Sequence, residues 1–427
     1  MIAQPQAPFL AEGVGLLGEF KGAGTVCPGY LLRRPDGAFL MVSALLYGLA
    51  EELDGRRCYN ELAEQLNYRF ARNLKCEDIG LLLGKLEPLG VIAGTVPAAK
   101  PVRPLLGVSA CVTLVAPGLV LAAARVLQPL FHRAVVVPVL PAAIVLQLAL
   151  IGSQLPLAPA EVLREPAVIL AVLAITLLGG LFHELGHASA AVYGGTRPGP
   201  IGVGMHLFWP AFYTDTTESY QSDRWCRVRT DLGGVYFNLL LSVALGLAFA
   251  VTGDPIWFWA MLAQDLTIVQ QFLPFLRLDG YYLACDLAGV PDLFSEMAPA
   301  LRGRRRPPPH HSGLALRRGV RAFVLAWSIA TAAFLGWFGV KLTLAVPDIL
   351  GTALKLVRDL WETGTRNLLE GNPAAGLAGL AVTLLVVIQS SALVLLALRC
   401  ARLAATRLPL AARNLFTGPE SNANTNA

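Results

Sequence analysis

From Ala167 to Gly180 the chain carries no charge, and its apolar character continues to about Val192. A helix over 167–192 is long enough to cross a hydrocarbon layer about 30 Å thick. Lipid offers the backbone no hydrogen-bond partner, so an uncharged run of this length is restricted to a helix. The second half of the same run contains His183-Glu184-Leu185-Gly186-His187. Ionisable groups inside a membrane segment are costly and mark a functional site by default.

Only 15% of residues are charged and 55% are hydrophobic, with mean hydropathy +0.57. Soluble domains carry about 25% charged residues. The expected fold is therefore a mainly α-helical polytopic membrane protein with about six transmembrane helices and a small α+β, winged-helix-like domain at the N-terminus. The spans fall at about 134–153, 167–192, 231–252, 256–276, 320–340 and 374–398. Residues 105–133 are apolar but interrupted by Pro117 and Pro129, and contain Arg125, Gln128 and His132. That segment reads as lying at the membrane surface.

Arginine placement orients the chain. Arg302, Arg304, Arg305, Arg306, Arg317 and Arg318 cluster in 280–319, and Arg399, Arg402, Arg407 and Arg413 follow the last span. Positive loops stay in the cytoplasm, so both termini and the N-terminal domain are expected there, in a multi-pass cell-membrane protein. The seven cysteines are scattered without CxxC pairs, which fits reduced thiols. The expected organisation is an N-terminal domain over 1–92, a Pro-rich linker over 93–104, the interfacial segment 105–133 and a membrane core over 134–290. A basic loop over 291–319 and further helices with a tail over 320–427 complete it.

Within 1–92, Tyr30 to Val42 reads as two strands around Pro35-Asp36-Gly37. Ser43 caps a helix running to about Leu53, a second helix starts near Asn60, and a third covers Glu77 to Leu89. Val91-Ile92 can return as a strand. The pattern resembles the PqqD-like peptide-recognition domains, on Leu53-Asp54-Gly55-Arg56, Glu61-Leu62-Ala63 and Lys85 to Ile92. That resemblance implies capture of a leader segment. A DNA-binding winged helix is the rival, but 9 basic and 11 acidic residues in this stretch leave no basic footprint. No nucleic-acid partner is expected.

On a helix, residues four apart share a face, so His183 and His187 can reach one metal ion. Glu184 is placed to take a proton from water that zinc acidifies. A third ligand is required. Asp279, after the span ending at Leu276, lies on the same side of the membrane as the histidines, and Gly280 would let the chain turn sharply there. Asp265, inside that span, is the rival ligand.

Three separated stretches then resemble the site-2 protease family of intramembrane zinc metallopeptidases. They are His183 to His187, Gly233-Gly234-Val235-Tyr236-Phe237-Asn238, and Pro274 to Tyr281. The resemblance implies one zinc per chain on His183, His187 and Asp279, with Glu184 as base. It implies that Asn238 holds substrate or the developing oxyanion, a role suited to an amide donor in a dry site. The family usually has Asn three residues before the proline of the last stretch, where Gln271 stands here.

Ile201 to Pro210 reads as an extended edge able to pair with an unwound substrate strand, with His206 a candidate oxyanion donor. Gln264, Thr267 and Gln271 share a helix face and can wet the cavity. The expected activity is zinc-dependent hydrolysis of a peptide or membrane-associated substrate, in particular a peptide natural-product precursor captured by the N-terminal domain. The alternatives are a peptide export or self-immunity protein with a structural zinc site, and regulated intramembrane proteolysis of a membrane-tethered regulator.

Overall fold

The computed structural model describes residues 7–35, 39–93, 108–151, 165–206, 209–301 and 315–416. It is mainly helical and forms two compact units, one from residues 1–154 and 175–338, the other from 155–174 and 339–427.

The first unit opens with an antiparallel sheet in the order β1 (Gly15–Glu19), β2 (Gly29–Arg33), β3 (Phe39–Ser43). β2 and β3 pair from Gly29↔Ser43 to Arg33↔Phe39, the hairpin expected from the sequence. β1 was not expected. It pairs on the far side of β2 with a bulge between Leu16 and Gly18. Helices α1 (Ala44–Glu52), α2 (Tyr59–Phe70) and α3 (Cys76–Leu86) follow. Ser43 caps α1 by accepting from the Leu46 N–H at 3.4 Å. Asp54 accepts from the backbone N–H groups of Arg56 at 2.9 Å and Arg57 at 3.2 Å, which ends the helix in an Asx turn. These bonds, that of Arg56 first, hold its carboxyl below the usual value. Leu49, Leu62, Leu66, Ile79 and Leu86 are fully buried and form one core with Val42 of β3. Ile92 returns as an isolated bridge to Leu10.

Residues 108–131 hold a strand that the sequence did not announce. β4 (Val108–Val115) pairs antiparallel with β5 (Ile201–His206), which pairs with β6 (Trp209–Thr214), in the order β4-β5-β6. The expected extended edge at 201–210 is therefore the central strand with the start of its neighbour, and the outer edges belong to β4 and β6. The strand went unannounced for a physical reason: β4 is apolar and closely follows a proline-rich stretch, so nothing local marks it as a strand. Helix α4 (Pro117–Leu127) buries Val120 and Ala124 completely, packed with Ala188 and Ile201.

Among the described residues, five helices are long and apolar enough to cross a membrane, against the six spans expected. They are α5 (Arg133–Ile151), α6 (Pro166–Tyr193), α7 (Arg224–Thr252), α11 (Arg318–Leu369) and α12 (Pro373–Phe416), the stretches meeting that criterion being 133–150, 166–193, 224–252, 318–369 and 373–395. The sixth expected span, 256–276, is α8 (Pro255–Gln271), only 17 residues long. Asp254 caps it, and the turn 272–278 leads into α9 (Asp279–Ala288), then α10 (Leu293–Leu301). Helix α11 has 52 residues, about 78 Å at 1.5 Å per residue. That far exceeds a hydrocarbon layer, so the helix runs on well beyond the span expected at 320–340. In the second unit α11 and α12 meet through small residues: a Cβ on Gly379 would fall 3.1 Å from the Gly364 Cα.

Candidate metal centre

Helix α6 crosses α7 where both are stripped of side chains. A Cβ on Gly233 would fall 2.6 Å from the Gly186 carbonyl oxygen and 2.8 Å from the Ala190 Cβ. Close approach of this kind is how helices pack in lipid, where the hydrophobic effect gives no drive between them. One residue on, a Cβ on Gly234 would fall 2.5 Å from Nε2 of both His183 and His187. The histidines therefore lie directly over the α7 backbone. No side chain larger than hydrogen fits beneath them.

The ligand atoms converge. His183 Nε2 and His187 Nε2 are 3.1 Å apart. Asp279 at the start of α9 places Oδ2 3.2 Å from His183 Nε2 and Oδ1 3.4 Å from His187 Nε2. Ligand atoms about 2.0–2.1 Å from a tetrahedral zinc ion are themselves about 3.3 Å apart, and these three distances match that spacing. His187 Nδ1 faces the Thr230 carbonyl oxygen at 2.7 Å, so this nitrogen carries the proton and Nε2 keeps its lone pair for a metal. The Asp279 Oδ2 atom is buried without a hydrogen-bond partner, as a metal ligand would be. The residues thus fit a zinc ion, with two imidazoles and one carboxylate leaving a fourth position open.

Gly280 serves differently from the turn expected of it. It is helical in α9, and a Cβ there would fall 2.8 Å from the Gln271 carbonyl oxygen and from the Phe272 Cα. Its missing side chain lets α9 abut the C-terminal end of α8, which brings Asp279 to the histidines.

Glu184 is 7% exposed and His183 6%. Thr214 Oγ1 on β6 donates to Glu184 Oε2 at 2.7 Å and lies 3.0 Å from the Glu184 carbonyl oxygen. The sequence reading missed Thr214; its one signal is the polar run Tyr213 to Thr217 after an apolar strand. Phe212, two residues earlier on β6, fills the space over Gly180, where a Cβ would fall 2.9 Å from its ring. Thr230, which orients His187, was likewise missed, and Gly234, which seats both histidines, stood only as part of the 233–238 stretch.

Asp265, the rival ligand, is bound elsewhere: it accepts from Gln147 at 2.7 Å and Ser242 at 2.6 Å. Asn238, one helical turn beyond Gly234, is 2% exposed and its Oδ1 has no partner. Gln264 is 1% exposed with both amide atoms unpartnered, and its Oε1 would lie 2.7 Å from a Cβ on Gly179. Gln271, at the end of α8, is half-buried. Thr267 Oγ1 donates to the Gln264 carbonyl oxygen at 2.6 Å. The His206 side chain lies outside the described residues; its backbone pairs with Trp209.

Two clefts of about 400 and 630 Å³ open where the N-terminal sheet meets the end of β6. Both are lined by Arg33, Asp215 and Thr217, the smaller also by Arg197 and the larger by Tyr213.

No family model matches the chain, and no solved structure matches it. Among curated proteins, 104 residues, 24% of this chain, are 29% identical to the "Putative peptide zinc metalloprotease protein YydH" of Bacillus subtilis (strain 168). The match spans 41% of that relative's length, well short of two thirds. The chain is thus a multi-pass helical membrane protein with a His–His–Asp cluster and a distant likeness to one zinc metalloprotease.

Proposed function

We propose that the chain is a membrane-embedded zinc metallopeptidase, similar to site-2 proteases, that cleaves a peptide presented by its N-terminal domain. The observation that carries this reading is the convergence of Asp279, at the start of α9, on His183 and His187 beside Glu184 of the long apolar helix α6. The distant likeness to a peptide zinc metalloprotease supports it.

His183, His187 and Asp279 would hold a zinc ion, which when bound would supply a Lewis acid that acidifies water and polarises a carbonyl. Glu184 accepts the proton of the attacking water on a carboxylate oxygen and returns it to the leaving amine nitrogen. Thr214 occupies Oε2 and so leaves Oε1 to carry that proton. Thr230 keeps His187 in the tautomer that coordinates through Nε2. Asn238 supplies its amide to substrate or oxyanion.

A helical substrate is unwound before its peptide bond is exposed. The outer edge of β6, whose Thr214 touches Glu184, is the strand positioned to pair with the unwound segment. This shifts the expected 201–210 edge to β6, over 209–214. The clefts beside Arg33, Tyr213 and Asp215 provide the path from the N-terminal sheet to that edge. The N-terminal domain captures the peptide, in the manner of PqqD-like domains, from the cytoplasm.

The experiment is mass spectrometry of a peptide pool incubated with membranes carrying the wild type or Glu184→Gln. New cleavage products with the wild type, absent with Glu184→Gln while zinc stays bound, are expected. Unaltered peptide masses with both sink the reading and leave a peptide-binding protein with structural zinc. Wild-type cleavage that persists after deletion of residues 1–92 removes the capture role and favours proteolysis of a membrane-tethered regulator.

A further inference from the structure

Among the described residues, the largest fully buried side chain belongs to Arg227, near the start of α7. Every nitrogen of its guanidinium is engaged. Nε donates to Asp286 Oδ1 at 2.7 Å, one terminal nitrogen to the Ser222 carbonyl oxygen at 2.8 Å, and the other to the Lys21 carbonyl oxygen at 3.1 Å. Its Cζ lies 4.1 Å from the centre of the Phe20 ring. Lys21 and Phe20 belong to the N-terminal domain, Asp286 to α9, and Ser222 to the turn before α7. One cation thus joins three parts of the chain.

Asp286 and Asp279 are both on α9, seven residues apart, which is two turns and the same face. A force that fixes Asp286 therefore fixes the rotation of α9 about its axis, and with it the direction of Asp279. A side-chain tip about 6 Å from a helix axis moves about 1 Å for a 10° rotation. That is half a zinc–oxygen bond length of about 2.0 Å, so the ligand set tolerates little slack in α9.

The loop between β1 and β2 reinforces the same end of α9. The Gly24 N–H donates to the Gly289 carbonyl oxygen at 2.8 Å, and Gly24 packs against the Ala288 carbonyl so closely that a Cβ there would clash. Arg224 donates to the Gly22 carbonyl oxygen. Arg317 donates its backbone N–H to the Gly24 carbonyl oxygen and its Nε to the Thr25 carbonyl oxygen, both at 2.9 Å. Thr25 is 1% exposed and Phe20 1% exposed, so this loop is a packed contact.

We propose that Arg227 is a positioning residue for Asp279, and that the Phe20–Thr25 loop of the N-terminal domain is the other half of the same lock. The N-terminal domain then does more than deliver peptide: seating of its loop sets the geometry of the metal ligands. A peptide that shifts that loop changes the metal site without touching it. This inference rests on His183, His187 and Asp279 being the zinc ligands.

The test uses the full chain with three variants, Arg227→Met, Arg227→Lys and Gly24→Ala. Hydrogen exchange over 280–288 in metal-free protein reads the lock directly. Zinc affinity by chelator competition, and the visible spectrum of the cobalt-loaded protein, read its effect on the ligands. Arg227→Met and Gly24→Ala are expected to speed exchange over 280–288 at least tenfold, weaken zinc binding at least tenfold and shift the cobalt spectrum. Arg227→Lys restores part of the affinity, since a point charge still meets Asp286 but cannot make the three-way contact. Gly24→Ala sits in the loop and leaves the α6–α7 crossing intact, so it decides the matter if Arg227→Met fails to fold. Wild-type protection and zinc affinity in Gly24→Ala overturn the proposal, as do loosened amides with unchanged zinc affinity. A wild type that binds no zinc instead overturns the metal reading, and the exchange rates still report on the lock.

Discussion

Thr214 Oγ1 lies 2.7 Å from Glu184 Oε2, so a strand thirty residues downstream holds the carboxylate on the helix that bears both histidines. A carboxylate beside a metal has several rotamers, and a single donor selects one. Replacing Thr214 by Val removes a hydrogen bond to a charged group, worth about 1.5–3 kcal/mol. The expected result is a ten- to hundred-fold loss in kcat with zinc content unchanged and recovery in Thr214→Ser. Wild-type kcat in Thr214→Val would show that the contact is incidental.

Asp279→Ala removes the only carboxylate in the cluster, and zinc per chain should fall well below one. Asp279→Asn keeps the shape but weakens the ligand, and should retain zinc partly and with faster loss to chelator. Metal analysis of purified protein checks both. Full zinc in Asp279→Ala would move the third ligand to another residue.

Gly234→Ala puts a methyl group 2.5 Å from both coordinating nitrogens, well inside van der Waals contact. The helices must separate or the imidazoles must turn, and overpacking of this kind costs about 1–3 kcal/mol. Lower zinc affinity and a lower melting temperature are expected together. Gly118→Ala, with no atom within 4 Å of the added carbon, is the control and should change neither.

Gln264 buries an amide without a partner, which costs roughly 1–3 kcal/mol relative to an apolar side chain of the same shape. Gln264→Met should therefore leave the melting temperature equal or higher. If the amide serves substrate, kcat/KM falls in the same variant, the usual exchange of stability against function. A destabilised Gln264→Met would mean that the amide is bonded within the protein.

The Asp54 carboxyl is held below its ordinary value of 3.8 by the N–H groups of Arg56 and Arg57. Its folded pKa is depressed, so its contribution to stability is present above pH 3.8 and is lost as pH falls through the lower folded value. Asp54→Asn should weaken this dependence in melts of the full chain between about pH 5 and pH 2. An unchanged acid limb would show that the turn holds without the charge.

The sequence by itself determined that the chain lives in a membrane and carries a zinc-type motif. Both follow from local rules: uncharged runs of sufficient length must be helical in lipid, and histidines four apart share a face. The β2–β3 hairpin, its Ser43-capped helix and the one-sided periodicity of α3 were legible for the same reason, since turn chemistry and periodicity act over a few residues. What the tertiary structure alone decided is long-range. Only folding shows that Asp279 rather than Asp265 reaches the histidines, because Asp265 is already bound by Gln147 and Ser242. Only folding puts Thr214 on Glu184, makes the 201–206 strand central by adding β4, and sets Arg227 against Asp286 and Lys21. Each of these contacts joins residues tens to hundreds of positions apart. Their identity depends on which helices can approach, which Gly186, Gly233, Gly234 and Gly280 permit and which no local pattern of the chain encodes.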